Sequence, residues 1–281
     1  MIMGKDTVIS NIEIYNTRMD ASIEDKLWFL NQNIDADVYV DFGCANGNLL
    51  KEMYQRDPGK VYIGYDNNPD MLCLARKHCL GTSIIFGHFF NKIKEYIDKK
   101  YPGRKICLIM SSVLHEVYFY SKNAKEIEEF WRVIRRDLSP DYIAIRDMDF
   151  GYDSDRINER GYTSSEFLSI RNELFREIRL KADKKQLKDF ENIYGLIDSY
   201  KNLTHFLLKY KYVENWDREV KENYFSYTVS QIMSELQWEY SIKYKKDYCL
   251  PYLYTQFKKD FGIDFMGYTH YNLLLRKFSN D

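Results

Sequence analysis

The stretch from Val38 to Leu50 joins a short apolar run, an acid and a glycine-containing turn, a combination that can hold a polar ligand. Asp41 lies near the end of the apolar run, and Gly43 and Gly47 follow it. Glycine permits positive φ angles and lets a ligand approach the backbone, while the start of a following helix offers N–H groups that lack intrahelical acceptors. The sequence therefore predicts a strand, a turn and a helix that together bind a polar group.

A second acid, Asp66, ends the next apolar run, KVYIGYD (60–66). Two classes of ligand compete for such a pair of motifs. A nicotinamide dinucleotide fingerprint requires GxGxxG, but from Gly43 onward the second and third glycine positions hold Ala45 and Asn48. Because the fingerprint fails at two positions, a nicotinamide cofactor is disfavoured.

The spacing Asp41-x-Gly43-x-Ala45-x-Gly47 resembles the first motif of the class I (Rossmann-like) S-adenosylmethionine (SAM) methyltransferases, usually DxGxGxG, with alanine at the central glycine. Asp66 is similar to that family's acid, which accepts hydrogen bonds from both ribose hydroxyls. The resemblance covers residues 35–150 and the last strands, and it implies SAM as the cofactor. The cofactor-binding positions that it implies are Asp41, Gly43, Cys44, Ala45, Gly47, Asp66, Asn67, His88 and Ser111.

Two positions depart from the family's patterns. His88 follows Gly87 where the family often has an acid that binds the adenine amino group, so adenine recognition stays open. The segment SSVLHEV (111–117) lacks the NPPY or DPPY motif of many nucleic-acid amino methyltransferases. This second departure disfavours methylation of adenine in DNA.

His115 and Glu116 follow the fourth apolar run, at the edge where open α/β sheets bind their ligands. Methyl transfer from a sulfonium is an in-line displacement, so a base is useful only when the acceptor is a hydroxyl or a protonated amine. We predict His115 and Glu116 as candidate catalytic residues, with Asp147 and Asp149 after the fifth run as further candidates. The alternative is structural: His115 bonds a neighbouring backbone group and Glu116 caps a helix or faces solvent.

Short apolar runs alternate with amphipathic stretches from about residue 35 to residue 150, which is typical of parallel strands covered by helices. Two later runs, 239–245 and 270–278, add strands to the same sheet. We predict an α/β fold: a doubly wound, mostly parallel seven-stranded sheet, with the antiparallel last strand that the resemblance implies and a helical cap inserted after strand five. The first five predicted strands are 37–42, 60–66, 83–87, 105–112 and 141–148.

Capping signals mark predicted helix starts at Asn68, Thr163 and Thr228, where an acceptor side chain precedes an apolar pattern. Helical spacing also predicts a helix over 126–138. A further amphipathic helix is predicted from the spacing of Phe190, Ile193, Tyr194, Ile197 and Tyr200.

These elements predict four regions: an N-terminal helical arm (1–34), a SAM-binding core (35–150), a helical cap (151–227) and a final helix with a strand pair (228–281). The cap is expected to cover the carboxyl edge of the sheet and to set acceptor specificity. Its aromatic residues, interleaved with lysines, fit either a base-stacking surface or an apolar core with a solvated rim, and nearby acids favour the core. The aromatic residues are Tyr194, Tyr200, Phe206, Tyr210, Tyr212, Trp216, Tyr224, Phe225 and Tyr227.

Composition bounds the remaining possibilities. The 281 residues are 45% apolar and 30% charged, a composition typical of a soluble globular protein. The formal charge of −1 gives no indication of a polyanionic partner. Five cysteines without a CxxC motif disfavour a disulfide framework, and five histidines without HxH or HxxxH spacing predict no metal site. With no signal-peptide pattern and no membrane-length apolar run, we expect a cytoplasmic protein without membrane association.

The sequence therefore predicts a SAM-dependent methyltransferase that acts on an unidentified small-molecule or RNA acceptor. The alternative is a non-catalytic SAM-binding or Rossmann-like module whose helical cap binds a protein or nucleic acid. Intact residues at Asp41, Gly43, Gly47 and Asp66 disfavour that alternative. A nicotinamide oxidoreductase lacks both the fingerprint and a recognisable hydride-transfer site.

Overall fold

A computed structural model describes residues 22–149, 164–262, 264–265 and 267–278. The predicted N-terminal arm is described only from residue 22, as a short helix α1 (Ile23–Lys26) and a 3-10 turn (Trp28–Asn31). Thr163, the predicted N-cap, lies outside the described residues.

Seven strands form one sheet in the order β3-β2-β1-β4-β5-β7-β6. The pairs β1–β2, β1–β4, β2–β3 and β4–β5 are parallel. Strands β2 and β4 flank β1. The chain passes from β1 to β2 and β3 on one side and then crosses to β4 on the other side, so the strand order reverses between β1 and β4. The strands are β1 (Val38–Phe42), β2 (Val61–Tyr65), β3 (Ile85–Gly87), β4 (Ile106–Ser111), β5 (Tyr142–Met148), β6 (Tyr240–Tyr248) and β7 (His270–Lys277).

Strand β7 runs antiparallel to its two neighbours, as backbone hydrogen bonds on either side of it show. The N–H of Lys277 donates to Asp141 O, whereas the N–H of Asp149 donates to Thr269 O, so the paired residues run in opposite directions. On the other side, Phe278 N donates to Glu239 O and Thr269 N to Tyr248 O. The predicted α/β fold, a mostly parallel seven-stranded sheet with an antiparallel last strand, is confirmed.

Helices connect the strands, and two of them begin at a cap that the sequence signals. The Asn68 side chain accepts from Asp70 N at 2.9 Å, and Thr228 and Gln231 form a reciprocal capping box. The predicted helix over 126–138 is α-helical to Arg132 and continues as a π-helix over Val133–Leu138. The helices are α2 (Asn48–Arg56), α3 (Pro69–His78), α4 (Ile93–Lys100), α5 (Leu114–Tyr120), α6 (Ala124–Arg132), α7 (Ser164–Lys181), α8 (Lys184–Tyr194), α9 (Tyr200–Lys209), α10 (Trp216–Glu219), α11 (Val229–Glu235) and α12 (Pro251–Phe261).

The single helix predicted from Phe190 to Tyr200 is wrong. Helix α8 ends at Tyr194 because Gly195 adopts a φ of +82°, and the Ser199 side chain then caps α9 by accepting from Asn202 N at 3.3 Å. The apolar spacing continues across the break because residues on both sides pack into one core. The periodicity therefore identified Phe190, Ile197 and Tyr200 as core residues, but it also included Ile193, which is 48% exposed, and it missed the break between the helices.

The chain divides into two compact units. The first contains the chain up to Asp147, with 226–245 and the segment from Asn272 onward; the second contains 148–225 and 246–271. Helix α12, which the sequence analysis does not foresee, adds Phe257 and Phe261 to the core of the second unit.

Aromatic residues fill the core of the second unit. Tyr200, Phe206, Trp216 and Tyr224 are each at most 6% exposed, and Lys209 Nζ lies 4.0 Å from the centre of the Tyr224 ring. These side chains pack against one another rather than forming an open stacking surface. The interpretation of the aromatic–lysine mixture as a core is confirmed at these positions.

Among the residues that the structure describes, no helix combines the length and the apolar character that a membrane span requires.

Candidate functional site

Three residues of the turn after β1 adopt the left-handed backbone conformation. Gly43, Ala45 and Gly47 have φ angles of +78°, +45° and +75°. The N–H groups of Gly43 and Cys44 both donate to Tyr65 O, at 2.8 and 2.9 Å, and this fastens the turn to the end of β2. Helix α2 starts directly after Gly47, so the turn leads into a helix N-terminus as the sequence predicts.

Gly43 borders a pocket, but the space that a side chain at this position would need is filled by Val113. A Cβ atom at this position would lie 2.8 Å from Val113 Cγ2, and one at Gly47 would lie 3.0 Å from Phe86 Cζ. Both glycines are required by close packing against side chains distant in sequence and by their positive φ angles. A branched residue at Gly43 would disturb the fold itself, and it is therefore a poor probe of ligand binding.

Asp66, in the second sequence motif, forms a hydrogen bond to the turn that contains the first. Its Oδ2 accepts from Ala45 N at 2.9 Å and its Oδ1 from Asn68 N at 2.8 Å, and the residue is 8% exposed. Burial raises the pKa of this carboxyl, while the backbone donors lower it. A carboxylate has about four acceptor positions, so these bonds leave capacity for hydroxyl donors.

Asp41 is nearly inaccessible, at 3% exposure on β1. Burial raises the pKa of Asp41 to about 7; the charge of Lys26 lowers it, and the charge of Asp66 raises it. Cys44 is also buried, and burial raises the pKa of its thiol well above the usual range, so the thiol stays protonated. Asp41 and Cys44 thus lie behind the turn rather than on its surface.

The end of β4 offers an unsatisfied hydroxyl. Ser111 Oγ is buried and no hydrogen-bond partner for it exists among the described residues. The next residue, Ser112, has a φ of +56°, and its Oγ accepts from Arg146 Nη1 at 2.8 Å. Buried polar groups are normally paired, so the Ser111 hydroxyl is available to a ligand at this edge.

His115 forms a buried hydrogen-bonded set with Asp147. Its ring Nδ1 lies 2.7 Å from Asp147 Oδ1, and its backbone N donates to Asp147 Oδ2 at 3.0 Å. Tyr227 OH donates to the same Oδ2 at 3.1 Å, and Ser226 Oγ donates to His115 O at 3.2 Å. Because the carboxylate accepts the Nδ1 proton, the basic nitrogen of the neutral ring is Nε2. His115 is only 3% exposed.

Glu116, in contrast, lines a pocket. This pocket of about 60 Å³ lies beside the turn after β1 and is bounded by Gly43, Asn67 and Val113 as well as Glu116. A larger cavity of about 580 Å³ includes Asn67 and the exposed His88. The structure therefore brings Gly43, Asn67 and Glu116 together, and His88 with Asn67.

Sequence reasoning missed several residues of the site. Phe42 and Tyr65 line both cavities, and each is the last residue of its strand. Their position at the strand ends could therefore have predicted that they line the site. Tyr227 had no such signal, because it meets Asp147 across 80 residues of sequence.

Comparisons with known proteins add the following. No protein-family model matches the sequence, and no curated protein matches it. Over 99% of both chains, the structure is similar to a SAM-dependent methyltransferase from Anabaena variabilis, with a TM-score of 0.49 and 11% identity. The methyltransferase domain of bacterial CtHen1-C aligns with 96% of this chain and 100% of its own, with a TM-score of 0.48 and 11% identity.

A third similar structure is the plantazolicin methyltransferase BpumL in complex with a triazolic desmethylPZN analog and SAH, the demethylated product of SAM. It aligns with 96% of this chain and 89% of its own, with a TM-score of 0.46 and 11% identity. The fold assignment rests on the observed strand order and directions rather than on these similarities.

Proposed function

We propose that this protein transfers a methyl group from SAM to a small-molecule or RNA acceptor. The observation that carries the proposal is the hydrogen bond from Ala45 N to Asp66, which unites the two sequence motifs beyond the ends of β1 and β2. This edge adjoins the point between β1 and β4 where the strand order reverses. Open α/β sheets bind their ligands at such a point.

The residues present fit the cofactor. The Asp66 carboxylate keeps acceptor capacity for two ribose hydroxyls, and the Ser111 hydroxyl is buried without a partner at the end of β4. Asn67 and His88 line the cavity beyond Asp66, on the side where the base would lie. When bound, SAM supplies an activated methyl group on a sulfonium sulfur.

We assign the acceptor-side chemistry to Glu116 and a positioning role to His115. Glu116 lines the pocket beside Gly43 and can accept a proton from a hydroxyl or an ammonium group there. His115, one residue earlier, is held at both its backbone and its ring by Asp147. This grip fixes the start of α5 and with it the position of Glu116.

Asp66→Ala is expected to weaken SAM binding about 10- to 150-fold, because it removes roughly 1.5–3 kcal/mol of hydrogen bonding to a charged group. Calorimetric titration with SAM measures the effect, and titration with NAD tests the rival cofactor. Asp70→Ala, at the exposed first turn of α3, is the matched control and should bind SAM normally. Unchanged SAM affinity in a folded Asp66→Ala protein would contradict the proposed site.

Glu116→Gln tests the acceptor side. Screening labelled-methyl transfer from SAM into extracted RNA and small metabolites first identifies the acceptor. With that acceptor, we expect the variant to lose roughly 100-fold in kcat, as for other general bases, while its SAM affinity stays within about twofold. Glu95→Gln, an exposed acid on α4, serves as the control. A normal kcat in Glu116→Gln would remove Glu116 from the chemistry.

A further inference from the structure

The cavity of about 580 Å³ in the first unit reaches well past the residues expected to contact the cofactor. Asn67, Pro69 and His88, which follow β2 and β3, line one part of it. Val133 and Asp137, on the π-helical stretch that follows α6, line another part, which we call the far end. The cavity is therefore bounded both by residues that follow the strands and by residues of this helical stretch.

Aromatic rings form the walls of this cavity. The Phe42 ring lies 5.0 Å from the rings of Tyr65 and Phe90 and 5.4 Å from that of Phe130, between centroids. Tyr65 and Phe90 are themselves 5.2 Å apart. Rings that already contact one another in tilted and edge-on arrangements form a stable wall, and they favour a ligand with apolar or aromatic surface.

One arginine and two acids line the cavity on α6 and the π-helical stretch. Arg132 Nε lies 2.6 Å from Glu129 Oε2, and Arg132 Nη1 lies 3.2 Å from Asp137 Oδ1. Because two carboxylates share this single cation, an anionic ligand would be repelled here. Together with the aromatic walls, this favours an apolar occupant without negative charge.

We propose that this cavity is an extension of the adenine end of the cofactor site, which admits an uncharged, apolar substituent on the 6-amino group of the base. The inference rests on the proposed function, because it places the ribose at Asp66. The 6-amino group lies at the end of the purine opposite to the sugar. A base that passes Asn67 towards His88 therefore presents this group to the cavity.

The size of the cavity supports the same assignment. Sites of roughly 300–1,000 Å³ hold drug-sized ligands, whereas a single purine ring needs much less space. An aromatic group attached to the base would replace water against Phe89, which is 59% exposed, and Phe90, and would bury apolar surface there. The adenine end is thus a determinant of cofactor specificity that tolerates enlargement.

The test compares SAH with N6-benzyl-SAH by calorimetric titration of the full chain. We expect the benzyl analogue to bind within about tenfold of SAH, because the ring enters a preformed cavity. Val133→Phe should fill the far end, weakening the benzyl analogue at least about tenfold while SAH binding stays within about twofold. Arg136→Phe, exposed on the same π-helical stretch and not lining the cavity, should leave both affinities unchanged.

The outcomes separate the inference from the function on which it rests. If SAH binds but the benzyl analogue binds more than about 100-fold more weakly, the adenine end is closed and the inference fails while the proposed function stands. If Val133→Phe weakens SAH and its analogue equally, the cavity does not hold the substituent and the inference fails. If neither compound binds the wild-type protein, the inference and the proposed function fail together.

Discussion

Asp147→Ala is expected to lower the free energy of unfolding by about 3–5 kcal/mol. Asp147 is fully buried, and its carboxylate accepts from His115 N, His115 Nδ1 and Tyr227 OH. Alanine removes the acceptor from the two donors of His115, a residue that is only 3% exposed, and from the hydroxyl of the half-buried Tyr227. Each buried donor without a partner costs about 1–3 kcal/mol, and the vacated volume adds a cavity cost.

Urea denaturation followed by tryptophan fluorescence measures this effect. Tyr227→Phe removes one of these donors and keeps the ring, so we expect it to cost about 0.5–1.5 kcal/mol. Asp98→Ala removes an exposed acid paired with Lys94 and should cost less than about 0.5 kcal/mol. An Asp147→Ala protein as stable as the wild type would show that the carboxylate does not organise this part of the fold.

Local signals explain which elements the sequence could predict. The cap at Asn68 and the capping box of Thr228 with Gln231 each depend on residues within a single turn. The signals that predict the strands are also local, because a short apolar run can be recognised as a strand without information from the rest of the chain. The break at Gly195 was missed because apolar spacing continues across it, and α12 was missed although Pro251 marks its start.

The site was harder to predict than the fold because its contacts join residues far apart in sequence. The spacing of Asp41, Gly43 and Asp66 located the turn and its partner acid. It could not show that Gly43 packs against Val113, nor that His115 meets Asp147. Pairings of this kind depend on strand order and on the length of the connections, which a single sequence does not encode locally.

The burial of Asp41 makes the free energy of unfolding depend on pH. Burial raises the pKa of this carboxyl to about 7 in the folded protein, against an ordinary value of 3.8. Between these two values the folded state binds a proton that the unfolded state has released, so the free energy of unfolding falls as the pH rises. Above pH 7 the folded protein holds a buried carboxylate, at a cost of up to about 4 kcal/mol.

Asp41→Asn is therefore expected to raise the free energy of unfolding by about 2–4 kcal/mol at pH 8 and to change it little near pH 4. The amide has nearly the same shape and carries no charge; loss of the attraction to the buried Lys26 offsets part of the gain. Urea midpoints measured from pH 4 to 8 give the comparison, and Asp37→Asn, a half-buried acid just before the same strand, is the control. A variant that is less stable than the wild type at every pH would mean that the carboxylate contributes net stability through Lys26. A gain confined to high pH would instead mean that the buried Asp41 carboxylate lowers the free energy of unfolding whenever it is ionised.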